Sequence, residues 1–317
     1  MTIPMEPSIR QLEYFVTIAE ERHFTRAAER LHVAQPSVSS QLRRLEQMFG
    51  TPLFHRDRGP VTLTDAGEAL LPLARRVLAD LAEVIHGAAE IEGLSRGHVA
   101  IGATPSLAAV FLPIVLSRFH RQYPGVSLSV TERDSLYLVE GLESGTLDLA
   151  LAIMPLAHPL IRRVVLAVEE LVVVTAVDGV LSKRRQVALS DLRNVPMIMF
   201  REGYDLRSTT LAAFNEVGFA PSIVVEGGEM NSVLSMVAAG LGVAIVPEIV
   251  ATGVARLHVV RLHSPRLERE IGLVRRQDHA PSRAAAALSA EISAFVGQRG
   301  WQSQPHQAED PFLADSI

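Results

Sequence analysis

The feature that most restricts the folding of this chain is a run of apolar residues between Leu70 and Ile91, spaced alternately by four and three positions. This is the heptad pattern of a helix that packs lengthwise against another helix. The run consists of Leu70, Ala74, Val77, Leu81, Val84, Ala88 and Ile91, and a flanking row consists of Leu71, Leu78 and Ile85. Because one side of such a helix is too apolar to remain in water, the pattern predicts a partner helix. Packing on the helix's own domain is the alternative.

The predicted helix covers residues 65–93 and separates a short N-terminal region from a longer C-terminal one. Asp65 and Glu68 have the spacing of a capping box at its start. Pro72 predicts a kink there, but the heptad pattern continues beyond it. The following "GLSRG" matches the G-x-S-x-G motif of hydrolases, which needs a strand before the serine and a helix after it. The order here is reversed, so we interpret this segment as a linker and Ser95 as non-catalytic.

The N-terminal region, residues 7–66, contains two helical patterns joined by a tight turn. The first, "FTRAAERL", has Thr25 in the position of an N-cap. The second, "QPSVSSQLRRLEQMF", has Pro36 in its first turn, where the missing N–H costs nothing. Its inward stripe consists of Val38, Leu42, Leu45 and Phe49. The pattern predicts a helix-turn-helix, in which the second helix enters the major groove of DNA.

The other face of this second helix carries small polar and basic side chains. They are Ser37, Ser40, Arg43, Arg44 and Gln47. Hydroxyl and amide groups bind base edges or phosphates, and arginine can donate two hydrogen bonds to guanine. An ordinary solvated face is the alternative interpretation. The segment "PLFHRDRGPVTLT" then predicts a two-stranded wing, with Arg56 and Arg58 at a tip that reaches a phosphate or a minor groove.

From Leu12 to Leu71 the sequence resembles the LysR-type transcriptional regulators. The matching motifs are A-A-x-x-L, Q-P-S-V-S, L-x-x-L-E, G-x-x-L-F-x-R and T-x-A-G, in that order. The resemblance implies a winged helix-turn-helix, base contacts from the start of the recognition helix, and a linker helix that dimerises the DNA-binding domains. Many relatives have arginine where Ser40 stands, which puts one base contact in doubt. The DNA-binding candidates are Thr25, Gln35, Pro36, Ser37, Ser39, Ser40, Arg43, Arg44, Arg56 and Arg58.

Residues 97–299 alternate apolar strands with helices, which predicts a mostly parallel sheet covered by helices. The resemblance implies an effector domain like the periplasmic binding proteins, with subdomain I at 97–169 and 275–299 and subdomain II at 170–274. We expect the crossing strands near Glu169–Val172 and Leu273–Arg275. The predicted fold class is α/β overall, with an all-α winged head, a long linker helix and a two-subdomain effector domain. The polar tail, residues 300–317, is predicted to be disordered.

In α/β domains, ligands lie beyond the carboxyl ends of strands, where helix N-termini offer free N–H groups. Hydroxyl groups and two arginines occupy such positions here, which predicts a small carboxylate or a similar anion as effector. Helix capping without any ligand is the alternative. The effector-binding candidates are Thr104, Ser106, Arg133, Ser135, Arg201, Gly203, Tyr204 and Met230.

Composition excludes several classes of function. The sequence has no cysteine, which rules out disulfides, thiolate catalysis and thiol redox sensing. The histidines lack metal-binding spacing and no set of acid, base and nucleophile converges, so we predict no metal, no cofactor and no enzymatic activity. At a net charge of −5, DNA contacts must come from locally clustered arginines. The lack of a signal peptide or an apolar span predicts a cytoplasmic protein.

These patterns and the resemblance to LysR-type regulators together imply a transcriptional regulator that binds operator DNA as a dimer or tetramer and responds to a small-molecule effector. RNA polymerase is a further partner that this role allows. The alternative is a solute-binding protein without a DNA function, which the recognition helix and the missing export signal disfavour.

Overall fold

The computed structural model describes residues 6–55, 61–89, 97–156, 158–251 and 256–299. The N-terminal head contains three helices, α1 (Ile9–Glu21), α2 (Phe24–Arg30) and α3 (Gln35–Phe49). Their shared core includes the fully buried Phe15, Ile18 and Leu45. Pro36 lies in the first turn of α3, and the helix ends at Gly50, whose φ of 69° suits a residue without a side chain. The predicted helix-turn-helix is therefore present.

Two predicted helix starts are each shifted by a residue or two. Helix α2 is capped by His23, whose Nδ1 accepts a hydrogen bond from the Thr25 backbone N–H at 3.1 Å. The linker helix α4 (Asp65–Ala89) is preceded by Thr64, whose Oγ1 accepts from the Gly67 N–H at 3.1 Å. Thr25 is therefore not an N-cap, and Asp65 does not begin a capping box. Both residues already belong to the first helical turn, whereas an N-cap needs extended backbone angles.

The predicted wing follows α3 as a short hairpin. Phe54 and Leu63 form an antiparallel bridge, and the His55 N–H donates to the Thr62 carbonyl oxygen at 2.9 Å. The tip residues Arg56 and Arg58 lie outside the described residues.

The linker helix α4 (Asp65–Ala89) continues through Pro72 as expected. Its first half packs on the core of the head through Leu70, Leu71, Ala74 and Leu78. Three other apolar side chains of α4, Leu73, Val77 and Val84, are 58%, 47% and 70% exposed. The heptad residues therefore divide between packing on the helix's own domain and an uncovered face. The side chains of Ile85 and Ala88, and all of Ile91, lie outside the described residues.

The C-terminal domain, predicted to be an effector domain, combines ten strands with seven α-helices in the ranges that the structure describes. No helix in these ranges is long and apolar enough to cross a membrane. The strands are β1 (Gly97–Ala103), β2 (Val126–Glu132), β3 (Leu149–Met154), β4 (Ile161–Ala176), β5 (Gln186–Ala188), β6 (Pro196–Met199), β7 (Ser222–Glu226), β8 (Ala244–Pro247), β9 (Leu257–Ser264) and β10 (Glu268–Arg276). The helices are α5 (Pro105–Val110), α6 (Leu112–Gln122), α7 (Ser135–Glu143), α8 (Asp205–Glu216), α9 (Met230–Ala238), α10 (Glu248–Ala251) and α11 (Arg283–Arg299).

The sequence predicts a mostly parallel sheet, and this prediction is wrong. The main sheet is mixed. Its order is β2-β1-β3-β10-β4-β9-β5, with β8 also paired to β4, while β6 and β7 form a separate pair. Strands β1, β2 and β3 are parallel, but β10 is antiparallel to both β3 and β4, and β4 is antiparallel to β8 and β9. Alternation of helices and strands does not encode the direction of a strand that crosses between subdomains, because its path through the fold sets that direction.

The long strand β4 changes partners between Glu170, which pairs with β10, and Leu171, which pairs with β8. This crossing lies where the sequence predicts it. The second crossing lies in the short connection between β9 and β10, after Ser264. The prediction of Leu273–Arg275 is wrong, because these residues lie inside β10 and pair with β3 and β4. Strand β10 begins with charged residues, so the hydrophobic pattern of the sequence does not reveal its first residue.

A buried ion pair lies next to the first crossing and joins both subdomains. The Arg269 Nη2 donates to Glu169 Oε2 at 2.8 Å and to Ser106 Oγ at 2.9 Å. The other carboxylate oxygen of Glu169 accepts from the backbone N–H of Ile249 in α10 at 2.9 Å. Arg269 and Glu169 are 6% and 4% exposed, so each charge depends on the other for compensation.

Replacing Arg269 by methionine should leave the buried Glu169 carboxylate without its charged partner. We expect the free energy of unfolding to fall by about 3 to 5 kcal/mol, measured by urea unfolding at fixed protein concentration. Arg266→Met is the matched control, because Arg266 is exposed three residues earlier. Equal stability of the two variants would contradict this role for the ion pair.

Candidate DNA-binding surface and effector cleft

Helix α3 separates its side chains largely as the sequence predicts, but Phe49, predicted to face inward, is 42% exposed because it lies in the last turn, beyond the core of the head. Val38, Leu42 and Leu45 are buried in the head. The exposed residues of the helix are Gln35, Pro36, Ser37, Ser40, Arg43, Arg44, Gln47 and Phe49. Because the exposed face is rich in hydrogen-bond donors and positive charge, it has the chemistry of a groove-reading surface.

The remaining candidates of the head take more varied positions. Ser39 is half-buried, and its Oγ accepts from Gln35 Nε2 at 2.9 Å. Thr25 is exposed in the first turn of α2. Within the described part of the chain, the side chains of Arg43 and Arg44 make no hydrogen bond or ion pair, so their guanidinium groups are available to a phosphate or a base.

Glu46 is a head residue whose role the sequence reading missed. It lies four residues after Leu42 in the inward stripe of α3 and is buried. Its Oε1 accepts from the Leu53 backbone N–H at 2.9 Å, which ties the recognition helix to the start of the wing. The signal in the sequence was an acidic residue at an apolar position of the stripe.

In the effector domain a small cavity lies where α5 and α7 meet α8. It is lined by Thr104, Pro105, Ser106, Asp134, Tyr204, Asp205, Leu206 and Arg269. The free space is about 10 Å³, which is roughly the room that one water molecule needs. The structure thus brings together three of the predicted effector residues, Thr104, Ser106 and Tyr204, in a closed cleft.

The two arginines predicted to bind an anion are engaged elsewhere and do not line the cavity. Arg201 Nε donates to Glu229 Oε1 at 2.7 Å, and this bond raises the pKa of the guanidinium. Arg133 is exposed, lies over the ring of Tyr137 and donates to its neighbour's carbonyl oxygen at 2.9 Å. Gly203 and Met230 also lie outside the lining.

Ser135 at the start of α7 binds Asp205 at the start of α8, across the cleft. Its Oγ donates to Asp205 Oδ2 at 2.7 Å, and its backbone N–H points to the same oxygen at 3.3 Å. Ser135 Oγ also accepts from the Ile153 N–H at 3.0 Å. Asp205 was not among the sequence candidates, although it directly follows Tyr204 at the start of α8. Burial raises the pKa of Asp205, and the nearby Asp134 raises it further, while the bonds from Ser135 oppose the shift.

Two hydroxyl groups that line the cavity have no hydrogen-bond partner among the described residues. They are Thr104 Oγ1 and Tyr204 Oη, on residues that are 3% and 4% exposed. The Tyr204 ring stacks on Phe200 with centroids 4.6 Å apart. Burial raises the pKa of Tyr204, so the phenol stays neutral. A buried hydroxyl without a partner is costly and usually marks a place for water or a ligand.

A second polar cluster joins the effector domain to the linker helix. Asp278 Oδ2 accepts from Arg76 Nη2 of α4 at 3.0 Å and from Arg276 Nη2 of β10 at 2.9 Å. The hydrogen bond from Arg276 is the main cause that lowers the pKa of Asp278 to about 2. In the described ranges no group of three or more His, Asp or Glu side chains converges as a metal site would require.

Two family models match the chain. The model described as a bacterial regulatory helix-turn-helix protein of the lysR family matches residues 9–68, and the LysR substrate binding domain matches residues 92–296. The chain belongs to the LysR family of transcriptional regulators. Members of this family are regulators and not enzymes, so the head is a DNA-binding domain and the C-terminal region an effector-binding domain.

Relatives and solved structures agree with this assignment to the LysR family. YybE of Bacillus subtilis, an uncharacterized HTH-type transcriptional regulator, is 34% identical over 83% of this chain and 90% of its own length. A full-length OxyR variant from Pseudomonas aeruginosa has a TM-score of 0.69 and 26% identity, covering 91% of this chain and 98% of OxyR. Full-length CbnR in complex with its target DNA has a TM-score of 0.67 and 27% identity, covering 92% of this chain and 99% of CbnR.

Asp205→Asn should change the stability of this LysR regulator in a pH-dependent way. Because the folded-state pKa of Asp205 is raised, protonation stabilises the fold at low pH, and this contribution is lost as the pH rises through that pKa. Asparagine is neutral, and its oxygen can still accept from Ser135. We therefore expect the variant to be more stable than the parent near pH 7, with an advantage that shrinks toward pH 4.

Urea unfolding of both proteins across this pH range measures the effect. Asp178→Asn is the control, because Asp178 is exposed in the same subdomain. An Asp205→Asn protein that follows the control at every pH would show that burial of this carboxylate has no energetic consequence.

Proposed function

We propose that this LysR regulator binds operator DNA as a homodimer, or as a tetramer built from such dimers. The main support for DNA binding is the exposed face of α3. Its side chains Ser37, Ser40, Arg43 and Arg44 are accessible, while the apolar stripe on the opposite face of the helix is buried. Serines near the start of the helix allow close approach to base edges, and the arginines further along reach phosphates or guanine. Gln35, Pro36 and Ser39 complete the start of the reading helix, and the sequence adds Thr25, Arg56 and Arg58 as further candidates for DNA contacts.

The uncovered face of α4 supports self-association. Leu73, Val77 and Val84 follow each other by four and seven residues, which places them on one side of the helix. An apolar stripe of this kind fits the same stripe of a second copy, because a twofold interface brings identical surfaces together. Two heads joined in this way would read two half-sites.

The proposed effector site is the cleft between the two subdomains. The sequence predicts a small anion as its effector, but the donors that could hold one, the N–H and Oγ of Ser135, are occupied by the carboxylate of Asp205. The wider set of candidates around the cleft remains Thr104, Ser106, Arg133, Arg201, Gly203, Tyr204 and Met230.

Effector binding would reach the DNA through the linker helix. A ligand that prefers one arrangement of the cleft shifts the population of that arrangement, and the bonds of Asp278 to Arg76 and Arg276 connect the effector domain with α4. RNA polymerase would then respond to the altered position of the regulator on the promoter. A solute-binding protein without DNA function would not need the exposed polar face of α3.

Arg43→Ala should weaken binding to a DNA duplex that the parent protein selects from a random-sequence pool. We expect a loss of about tenfold or more in affinity, with a smaller salt dependence if the contact is a phosphate. Arg266→Ala is the control for an exposed arginine outside the head. Failure of the parent protein to select any duplex, or equal binding by both variants in mobility-shift titrations, would contradict the proposal.

Val77→Asp combined with Val84→Asp should break the dimer, because it would bury carboxylates without partners at the α4 interface. In sedimentation velocity at micromolar concentration we expect the monomer to replace the larger species. Val180→Asp, at a residue that is 68% exposed in a turn of the effector domain, should leave the oligomer intact. The same sedimentation profile for both proteins would exclude α4 as the dimer interface.

A further inference from the structure

We propose that the effector of this regulator presents a primary ammonium group, which binds in the cavity formed by Thr104, Asp134, Tyr204 and Asp205. This inference rests on the proposed function of the cleft as an effector site, and it specifies a ligand class opposite in charge to the one that the sequence suggests.

The charge around the cavity favours a cation. Two carboxylates, Asp134 and Asp205, line it together with one cation, Arg269. The Arg269 guanidinium is already compensated, because it forms two hydrogen bonds to Glu169 Oε2, at 2.8 and 3.0 Å. The remaining charge that faces the cavity is therefore negative, which favours a cation over an anion.

The protein itself already occupies the position that an anion would take. The helix α7 could offer the N–H and Oγ of Ser135 to a carboxylate, but Asp205 Oδ2 accepts both. An anionic ligand would have to displace Asp205 and would then leave two carboxylates close to its own charge. An ammonium group can instead bind to Asp205 without breaking the contact to Ser135, since a carboxylate offers about four lone-pair sites.

Two buried hydroxyl groups supply further hydrogen-bond acceptors. Thr104 Oγ1 and Tyr204 Oη line the cavity and have no partner among the described residues. A hydroxyl oxygen accepts hydrogen bonds, so these two groups and the carboxylates supply acceptors for the three N–H donors of an ammonium group. The free space of about 10 Å³ fits a head group of the size of a water molecule, so the rest of the ligand must extend along the cleft as it opens.

A matched series of n-alkyl compounds tests the ligand class. Three-carbon to six-carbon ammonium salts, carboxylates and alcohols are added to the full-length protein at constant ionic strength, and melting temperature and binding heat are recorded. We expect the ammonium compounds to raise the melting temperature, because a ligand that binds the folded state stabilises it, and the carboxylates and alcohols to have no effect. Stabilisation by carboxylates alone, or by no compound in the series, would overturn the inference.

Variants locate the binding site. Asp205→Asn should lower ammonium affinity by about tenfold or more, because a hydrogen bond to a charged partner is lost. Tyr204→Phe keeps the ring stacked on Phe200 and should lower the affinity several-fold by removing one acceptor. Asp178→Asn, at an exposed position of the same subdomain, should bind as the parent does. Equal ammonium affinity in all three variants would place binding elsewhere and refute the proposed site.

DNA binding is measured in parallel on the same samples with the selected duplex. A protein that binds DNA but ignores the ammonium series contradicts only the ligand class. A protein that selects no duplex contradicts the proposed regulatory function itself.

Discussion

The effector domain depends on one compensated pair of charges in its interior, Arg269 with Glu169. The pair lies beside the point where β4 passes from one subdomain to the other, and it also binds Ser106 of α5 and the backbone of Ile249 in α10. Neither ion could remain in this environment alone. The pair therefore fixes where the subdomains meet, and because Arg269 also lines the cavity, it fixes one wall of the cleft.

The local pattern of the sequence was sufficient to predict most of the elements. The stripe from Val38 to Leu45 predicted α3 and its exposed polar face, because a period near 3.6 residues is set within a single helix. Details that depend on distant partners were not accessible in this way. The start of β10 at Glu268 is invisible to hydrophobicity, since Arg269 is buried only through its contact with a residue a hundred positions earlier.

The cleft shows the same limit more sharply. The sequence places hydroxyl groups and arginines after the predicted strands, and Thr104, Ser106 and Tyr204 do line the cavity. It does not show that Arg201 is held by Glu229 and Arg133 by its own neighbours, which removes both positive charges from the lining. Nor does it show that Asp205 reaches Ser135 across the cleft. The number of charged residues near the cleft in the sequence therefore does not give the charge that lines the cavity.

Strand β10 carries Arg269 near its first residue and Arg276 at its last. The seven residue-to-residue steps from Arg269 to Arg276 correspond to roughly 23 Å of extended chain. Pairing with β3 and β4 on its two sides stiffens this strand, and Arg276 is joined through Asp278 to Arg76 on α4. Strand β10 thus forms a stiff connection of fixed length from the cavity wall to α4, the helix that carries the head. A tilt of β10 at the cavity wall would therefore also move its other end, and with it the position of the helix that carries the head.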